Sequence, residues 1–225
     1  TVPAMLAGLR AAIASGWPGR GPVVPVVRLA GAIGMQAAMR RGLTLDGVAG
    51  ALERAFAHKG APAVAIVVNS PGGSAVQSHL IFRRIRALAA ERDRRVIAFI
   101  EDMGTSGGYM IACAADEILA DPASLVGSIG VVSQGFGFVG LMERLGIERR
   151  VHGSAENKAL LDPFQPERPG DVEHLRSIQS EVHAHFVDLV RERRGARLSE
   201  DDELFTGLFC SGGRAEALGL VDGTG

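Results

Sequence analysis

A serine set among small residues, in Glu101-Asp-Met-Gly-Thr-Ser-Gly-Gly-Tyr, stands just past the β-branched run Arg95 to Ile100. A hydroxyl at Ser106, opening a helix between residues without bulk, stays accessible. The logic is that of the strained turn that presents a nucleophilic serine, although Gly-x-Ser-x-Gly itself is only loosely matched. A second turn, Asn69-Ser-Pro-Gly-Gly-Ser, ends the apolar run Ala63 to Val68. Paired glycines leave N–H groups unshielded by a Cβ, and such groups can donate to a developing oxyanion. In open α/β sheets ligands bind beyond the carboxyl ends of the strands, so both turns point to one place. Each has a plainer account: a strand–helix turn for the first, a helix cap for Ser106. On consecutive strands, the two together describe a nucleophile facing an oxyanion hole.

A serine nucleophile needs a base. Of the six histidines, His174, His183 and His185 belong to a long polar stretch and are expected to face water, while His58 closes a helix beside Lys59. His79, after the first glycine turn, is the best placed of them. Lysine is the scarcer cation: of 24 basic side chains only Lys59 and Lys158 are Lys. Lys59 sits in a polar turn. Lys158 sits in Ser154-Ala-Glu-Asn-Lys-Ala-Leu-Leu-Asp-Pro-Phe, a loop that turns apolar on its far side. Burial of an amine against apolar groups favours its neutral form, which can take a serine proton. An exposed loop cation is the simpler reading of the same residue.

The elements that must carry these turns follow from periodicity. Strands are expected over Val23–Leu29, Ala63–Val68, Arg95–Ile100 and Glu117–Ala120, with a late one over Ile147–Val151. A helix capped by Thr44 would carry Leu45, Val48, Leu52 and Phe56, and a second would turn Val76, Leu80, Ile81, Ile85 and Leu88 inward. Glu101–Thr105 reads as a loop and Ser106–Ala115 as a short helix. Asp171–Arg194 reads as a long exposed helix with Val172, Leu175, Ile178, Val182, Phe186 and Leu189 as its stripe. Alternation of strand and helix predicts βαβ units and a mostly parallel sheet. Residues 1–20 are Ala/Gly/Pro-rich and weakly patterned, so that an N-terminal arm or short helix is expected over 1–22, with one domain over 23–225.

Composition narrows the function classes. The 225 residues are 47% hydrophobic and 22% charged, with 30 Gly, which suits a folded α/β domain. A net charge of −1 gives no footprint for nucleic acid. The arginine groups 83, 84, 86 and 191, 193, 194 read as solvated helix faces. Cys113 and Cys210 make no disulfide framework, no metal-ligand spacing occurs, and no cofactor is implied. Cys113 reads as a small core residue. No run reaches the ~18 apolar residues of a membrane span.

Asn69-Ser-Pro-Gly-Gly-Ser, Thr105-Ser-Gly-Gly-Tyr, Leu125-Val-Gly-Ser-Ile-Gly-Val and Ala217-Leu-Gly-Leu-Val-Asp, in this order, resemble the signal peptide peptidase A family over roughly Val23 to Asp222. The resemblance implies an α/β, Clp protease/crotonase-like fold of repeated β-β-α units with two roughly perpendicular sheets, here with a C-terminal helical arm. It implies a Ser–Lys dyad with Ser106 as nucleophile, Lys158 as base, and Ser128 bonded to the lysine. The oxyanion donors would be the N–H groups of Gly73 and Gly107, and Asn157 has no assigned role. It implies a peptide or remnant signal peptide as substrate and a homo-oligomeric ring in which neighbours help build the groove. An inner-membrane anchor would lie outside this chain; without one, a soluble cytoplasmic or periplasmic protein is expected. Two other readings share the fold. An acyl-CoA hydratase or isomerase would use carboxylates such as Glu101 and Asp102, and an inactive scaffold subunit would keep the architecture alone.

Overall fold

The computed structural model describes residues 22–34 and 42–225, so all but the last residue of the expected N-terminal arm lies outside the described residues. Thirteen elements position the site. Strand β1 spans Val26–Ala30, α1 Leu45–Phe56, β2 Ala63–Ser70, α2 Ala75–Arg92, β3 Arg95–Thr105 and α3 Gly107–Ala112. Then come β4 (Glu117–Ala120), β5 (Leu125–Gly127), α4 (Val139–Leu145), α5 (Pro169–Arg194), β6 (Phe209–Ser211), α6 (Gly212–Ala217) and β7 (Gly223–Thr224). The fold is the expected α/β one of Clp protease/crotonase-like type. Strands β1-β2-β3-β4-β7 run in that order, all parallel, as strands joined by crossover connections are.

The sheet forks at β3. Its first half, Ile97 to Ile100, pairs with β4, and its last residues, Met103 to Thr105, pair with β5, which in turn meets β6 antiparallel. The segment Glu101–Thr105, expected as a loop, is therefore strand. Its mixed, glycine-containing sequence hides a strand whose partner changes midway, with a register irregularity between Val68 and Ser70 on β2. The fork gives β3 the length to deliver Ser106 beyond the main sheet.

The core joins Leu29, Val64, Ile66, Val68, Val96, Ala98 and Ile100 to Leu52 and Phe56 of α1 and Ile81, Ile85 and Leu88 of α2. Thr44 caps α1 as expected, its Oγ1 accepting from the Gly47 N–H at 3.3 Å. Val76 and Leu80, expected inside, are exposed, because the inward face of α2 instead uses Ser78 and Ala89 for close approach to its neighbours. Helix α5 is buried at Asp171 in its first turn and at Phe186, Leu189, Val190 and Arg194 in its last turns; Ile178 is exposed. The expected strand over Ile147–Val151 is not formed. Among the described residues from Val131 to Gly170 none is buried, so no sheet edge reaches that run to pair with it.

Arg194 is not a solvated cation: its side chain is 2% exposed and sits on Asp222 at 2.8 and 3.0 Å. Asp222 also accepts from the Ile118 N–H at 2.7 Å and from Arg197 at 3.1 Å. Burial opposes the charge on Asp222, but the hydrogen bonds from Arg194 and the Ile118 N–H hold its carboxyl below the ordinary carboxylate range. The Ala217–Asp222 motif is thus a clamp. Asp222→Ala is expected to lower unfolding stability by about 3–5 kcal/mol, since it strands a buried guanidinium. Urea denaturation with an unchanged slope checks this. Because the folded carboxyl has the lower pKa, its contribution is complete above the unfolded value of about 3.9 and disappears as pH falls through the folded one.

Candidate active site

Strand β3 ends at Thr105, and Ser106 follows in a conformation few side chains adopt, φ 52° and ψ −122°. A non-glycine residue there is strained by about 1–3 kcal/mol, and surrounding structure must enforce it. Here the Ser106 N–H donates to the Gly127 carbonyl at 2.8 Å, while the Ser106 carbonyl accepts from Met110 at 3.0 Å. Its hydroxyl makes no capping hydrogen bond, which removes the plain helix-cap account of this serine. The strain turns the Oγ toward a cleft of about 640 Å³ instead.

That cleft is lined on one side by Pro71, Gly73 and Ala75, and on the other by Ser128, Gly130 and Val131. Gly73 has φ 141°, and its flanking residues bracket Ile33: the Ile33 N–H donates to Gly72 O at 2.8 Å and the Ser74 N–H donates to Ile33 O at 2.9 Å. This pattern leaves the Gly73 N–H without a partner among the described residues, and the Gly107 N–H at the start of α3 is likewise unused. Two free donors therefore stand at the cleft beside the serine hydroxyl. Ser128, the residue after Gly127, has φ 53° and is anchored through its N–H to Leu208 O at 2.8 Å.

The structure brings together Ser106, Ser128, Gly73 and Gly107. It does not bring Lys158 to them. Lys158 is exposed on a short 3-10 turn and lines a different cavity, with His152, Ser154, Gln165 and Arg168. Burial of this lysine on its apolar side is not realised in the single chain, because the whole run from Val131 to Gly170 contributes nothing to the core. No histidine lines the serine cleft among the described residues. His79 packs edge-on against His185, with ring centroids 4.6 Å apart, and burial followed by the charges of His185 and Arg83 lowers its pKa. His183 is not turned to water: its Nε2 lies 3.1 Å from Ile129 O, next to Ser128. Glu101 pairs with Arg28 and Asp102 accepts from Asn69 at 2.6 Å; both line a separate cavity.

Three contributions escaped the sequence reading. Val182 and Phe186 of α5 form part of the cleft wall with Met110, which the stripe on that helix signalled only as generic burial. Thr206 and Gly207 reach the cleft from a segment with no motif. Gly104 and Thr105, the small residues before Ser106, are buried in β3, while Ala75 lines the cleft. The third is Gly72, at φ 98°. A Cβ on it would stand 2.8 Å from Ser106 Cβ and 2.9 Å from the Gly107 nitrogen. Glycine is required there because the two turns touch through it. Gly72→Ala is expected to displace the Ser106 hydroxyl and the Gly107 N–H together and so to cut any turnover at this cleft roughly 10²-fold, with the far-ultraviolet circular dichroism unchanged. Steady-state kinetics on both proteins measure it.

Tyr109 and the last motif show why distant motifs travel together. The Tyr109 hydroxyl, fully buried, donates to Leu220 O at 2.7 Å, tying the helix behind Ser106 to the Asp222 clamp. Burial pushes its pKa well above the usual phenol value, so it stays protonated.

A parallel-sheet fold of Clp protease/crotonase-like type, with a strained serine beside two free backbone donors, defines the class: α/β proteins that present a serine at the end of a parallel strand. Residues 89–225 match peptidase family S49, and the chain belongs to that family. It is 57% identical over 203 residues to a Na(+)/H(+) antiporter NhaA of Brucella melitensis, covering 90% of this chain and 28% of that protein. It is 32% identical over 164 residues to the chloroplastic serine protease SPPA of Arabidopsis thaliana, 72% of this chain and 24% of the relative. Protease 4 of Salmonella typhi is 31% identical over 166 residues, 72% and 26%. The chain thus spans about a quarter of the length of these relatives. Among the described residues no helix is long and apolar enough to cross a membrane.

Proposed function

We propose that the chain is a serine endopeptidase unit in which Ser106 attacks a peptide carbonyl and Lys158 serves as its base. The observation that carries this reading is Ser106 itself, held at positive φ with its hydroxyl free between the unused N–H groups of Gly73 and Gly107. As Ser106 Oγ bonds to the carbonyl carbon, its proton passes to the neutral amine and the carbonyl oxygen gains the negative charge. The two N–H groups receive that charge, and one such donor typically contributes on the order of 3 kcal/mol. The amine then protonates the leaving nitrogen, and water hydrolyses the acyl-enzyme with the same base. Ser128 orients the amine.

The base reaches the serine when the run from Val131 to Gly170 packs down, and a ring of identical subunits supplies the surface for that. Val132, Phe136, Leu141, Leu145 and Ile147 on this run are exposed apolar residues of the kind an interface covers. Glu101 and Asp102, engaged elsewhere, do not support the thioester reading. The cleft walls of Ala75, Met110, Val131, Val182 and Phe186 suit a hydrophobic segment such as a remnant signal peptide. A fluorogenic peptide library is expected to show cleavage after small or aliphatic residues, at least about tenfold over charged ones. Preference for charged residues would overturn the proposed substrate class, and turnover of a crotonyl-type thioester without peptide cleavage would overturn the peptidase reading.

A further inference from the structure

One wall of the serine cleft comes from the run that follows β5, with Ser128, Gly130, Val131, Val132 and Gln134 on it. No helix or strand holds this run, and no backbone–backbone hydrogen bond reaches residues 129–137 among those described. Gly130 packs on Gly207, where a Cβ would stand 2.9 Å from Gly207 Cα. The one hydrogen bond to the backbone of 129–137 among the described residues comes from α5: His183 Nε2 lies 3.1 Å from Ile129 O. A carbonyl oxygen only accepts, so Nε2 carries the proton in this contact and Nδ1 is bare in the neutral ring. The Ile129 side chain is fully buried, which fixes the frame in which its carbonyl is held.

We propose that His183 is a positioning residue for the serine cleft and acts through Ser128. Ser128 stands at φ 53°, a strained conformation for a residue with a Cβ, and such strain persists only where the surroundings enforce it. Two bonds bracket it. Its own N–H donates to Leu208 O at 2.8 Å, and the carbonyl of the next residue accepts from His183. With the second bond gone, the peptide after Ser128 is free to relax, and the direction of the Ser128 side chain relaxes with it. Helix α5 is seated to make that bond. Val182 and Phe186, on either side of His183, line the cleft, and His185 packs edge-on against His79 of α2 with ring centroids 4.6 Å apart. The inference rests on the reading of Ser128 as the residue that orients the Lys158 amine.

Two substitutions separate the bond from the bulk of the ring. His183→Leu keeps an apolar side chain and removes the donor, whereas His183→Gln keeps an N–H at similar reach. On a fluorogenic peptide, His183→Leu is expected to lower kcat about tenfold with KM within about twofold, and His183→Gln to recover most of the loss. In a Ser128→Ala background, His183→Leu is expected to lower kcat no further, because the residue it acts through is already gone. Native kcat in His183→Leu, an equal loss in His183→Gln, a loss in KM alone, or the full tenfold loss on top of Ser128→Ala would each overturn the inference and leave Ser128 in its role. Ser128→Ala at the native rate would remove that role, and this inference with it. The tautomer is read without turnover. In native protein carrying isotope-labelled histidine, above about pH 8 where an ordinary imidazole is neutral, His183 is expected as the Nε2–H form in the nitrogen-correlated magnetic resonance spectrum. An Nδ1–H ring would overturn the contact whether or not any peptide is cleaved.

Discussion

Ser106→Ala is expected to abolish peptide hydrolysis, lowering kcat by roughly 10⁵- to 10⁶-fold while leaving Tm unchanged or raised. The loss is large because the proposed acyl-enzyme forms on the Ser106 Oγ, in the cleft that the Gly73 and Gly107 N–H groups also line. The unchanged or raised Tm follows from the backbone. Ser106 occupies φ 52°, ψ −122° and its hydroxyl makes no capping hydrogen bond, so its removal costs no cap and no packing. Stored strain at a functional position is commonly held in place by its surroundings. Here Gly72 beneath it and the Gly127 carbonyl beside it do that. A variant retaining more than a few per cent of activity would exclude Ser106 as nucleophile.

Lys158→Ala is expected to be nearly as severe, since groups that act as a unit are strongly non-additive. The double variant with Ser106→Ala should then be no worse than either single one. The structure adds a condition to this. Lys158 stands exposed, away from the serine cleft, on a run without a buried residue among those described. Activity in the native protein should therefore rise with protein concentration as subunits assemble and that run becomes fixed. Specific activity measured across a dilution series, beside sedimentation, tests the point. A monomer of full activity would remove assembly from the account, and a fully active Lys158→Ala protein would remove the lysine.

Much of this could be read in the residues, for identifiable reasons. Compact apolar runs at Ala63 and Arg95 gave parallel strands, and the paired glycines after them gave turns. In these the Gly73 and Gly107 N–H groups have no partner among the described residues, while the Gly72 N–H donates to Ser70 Oγ at 3.2 Å. Local sequence carried those because backbone geometry at glycine is a local property. What it did not carry is long-range. The fork at β3 depends on two partners, β4 and β5, that a period within one strand cannot distinguish. Arg194 looked solvated because its partner Asp222 lies in a motif 28 residues on. Gly72 looked like its neighbour Gly73, and only the contact with Ser106 separates their roles. The apolar flank of Lys158 was legible, but among the described residues Lys158 stands exposed, because burial depends on what packs over the loop and not on the loop's own sequence.

Labelling with a fluorescent fluorophosphonate, followed by mass spectrometric mapping of the adduct, tests the central claim most directly. The account predicts an adduct on Ser106 in the assembled native protein, absent from Ser106→Ala and lost with Lys158→Ala. A folded, assembled native protein that takes no label, or carries it on another residue, would contradict it.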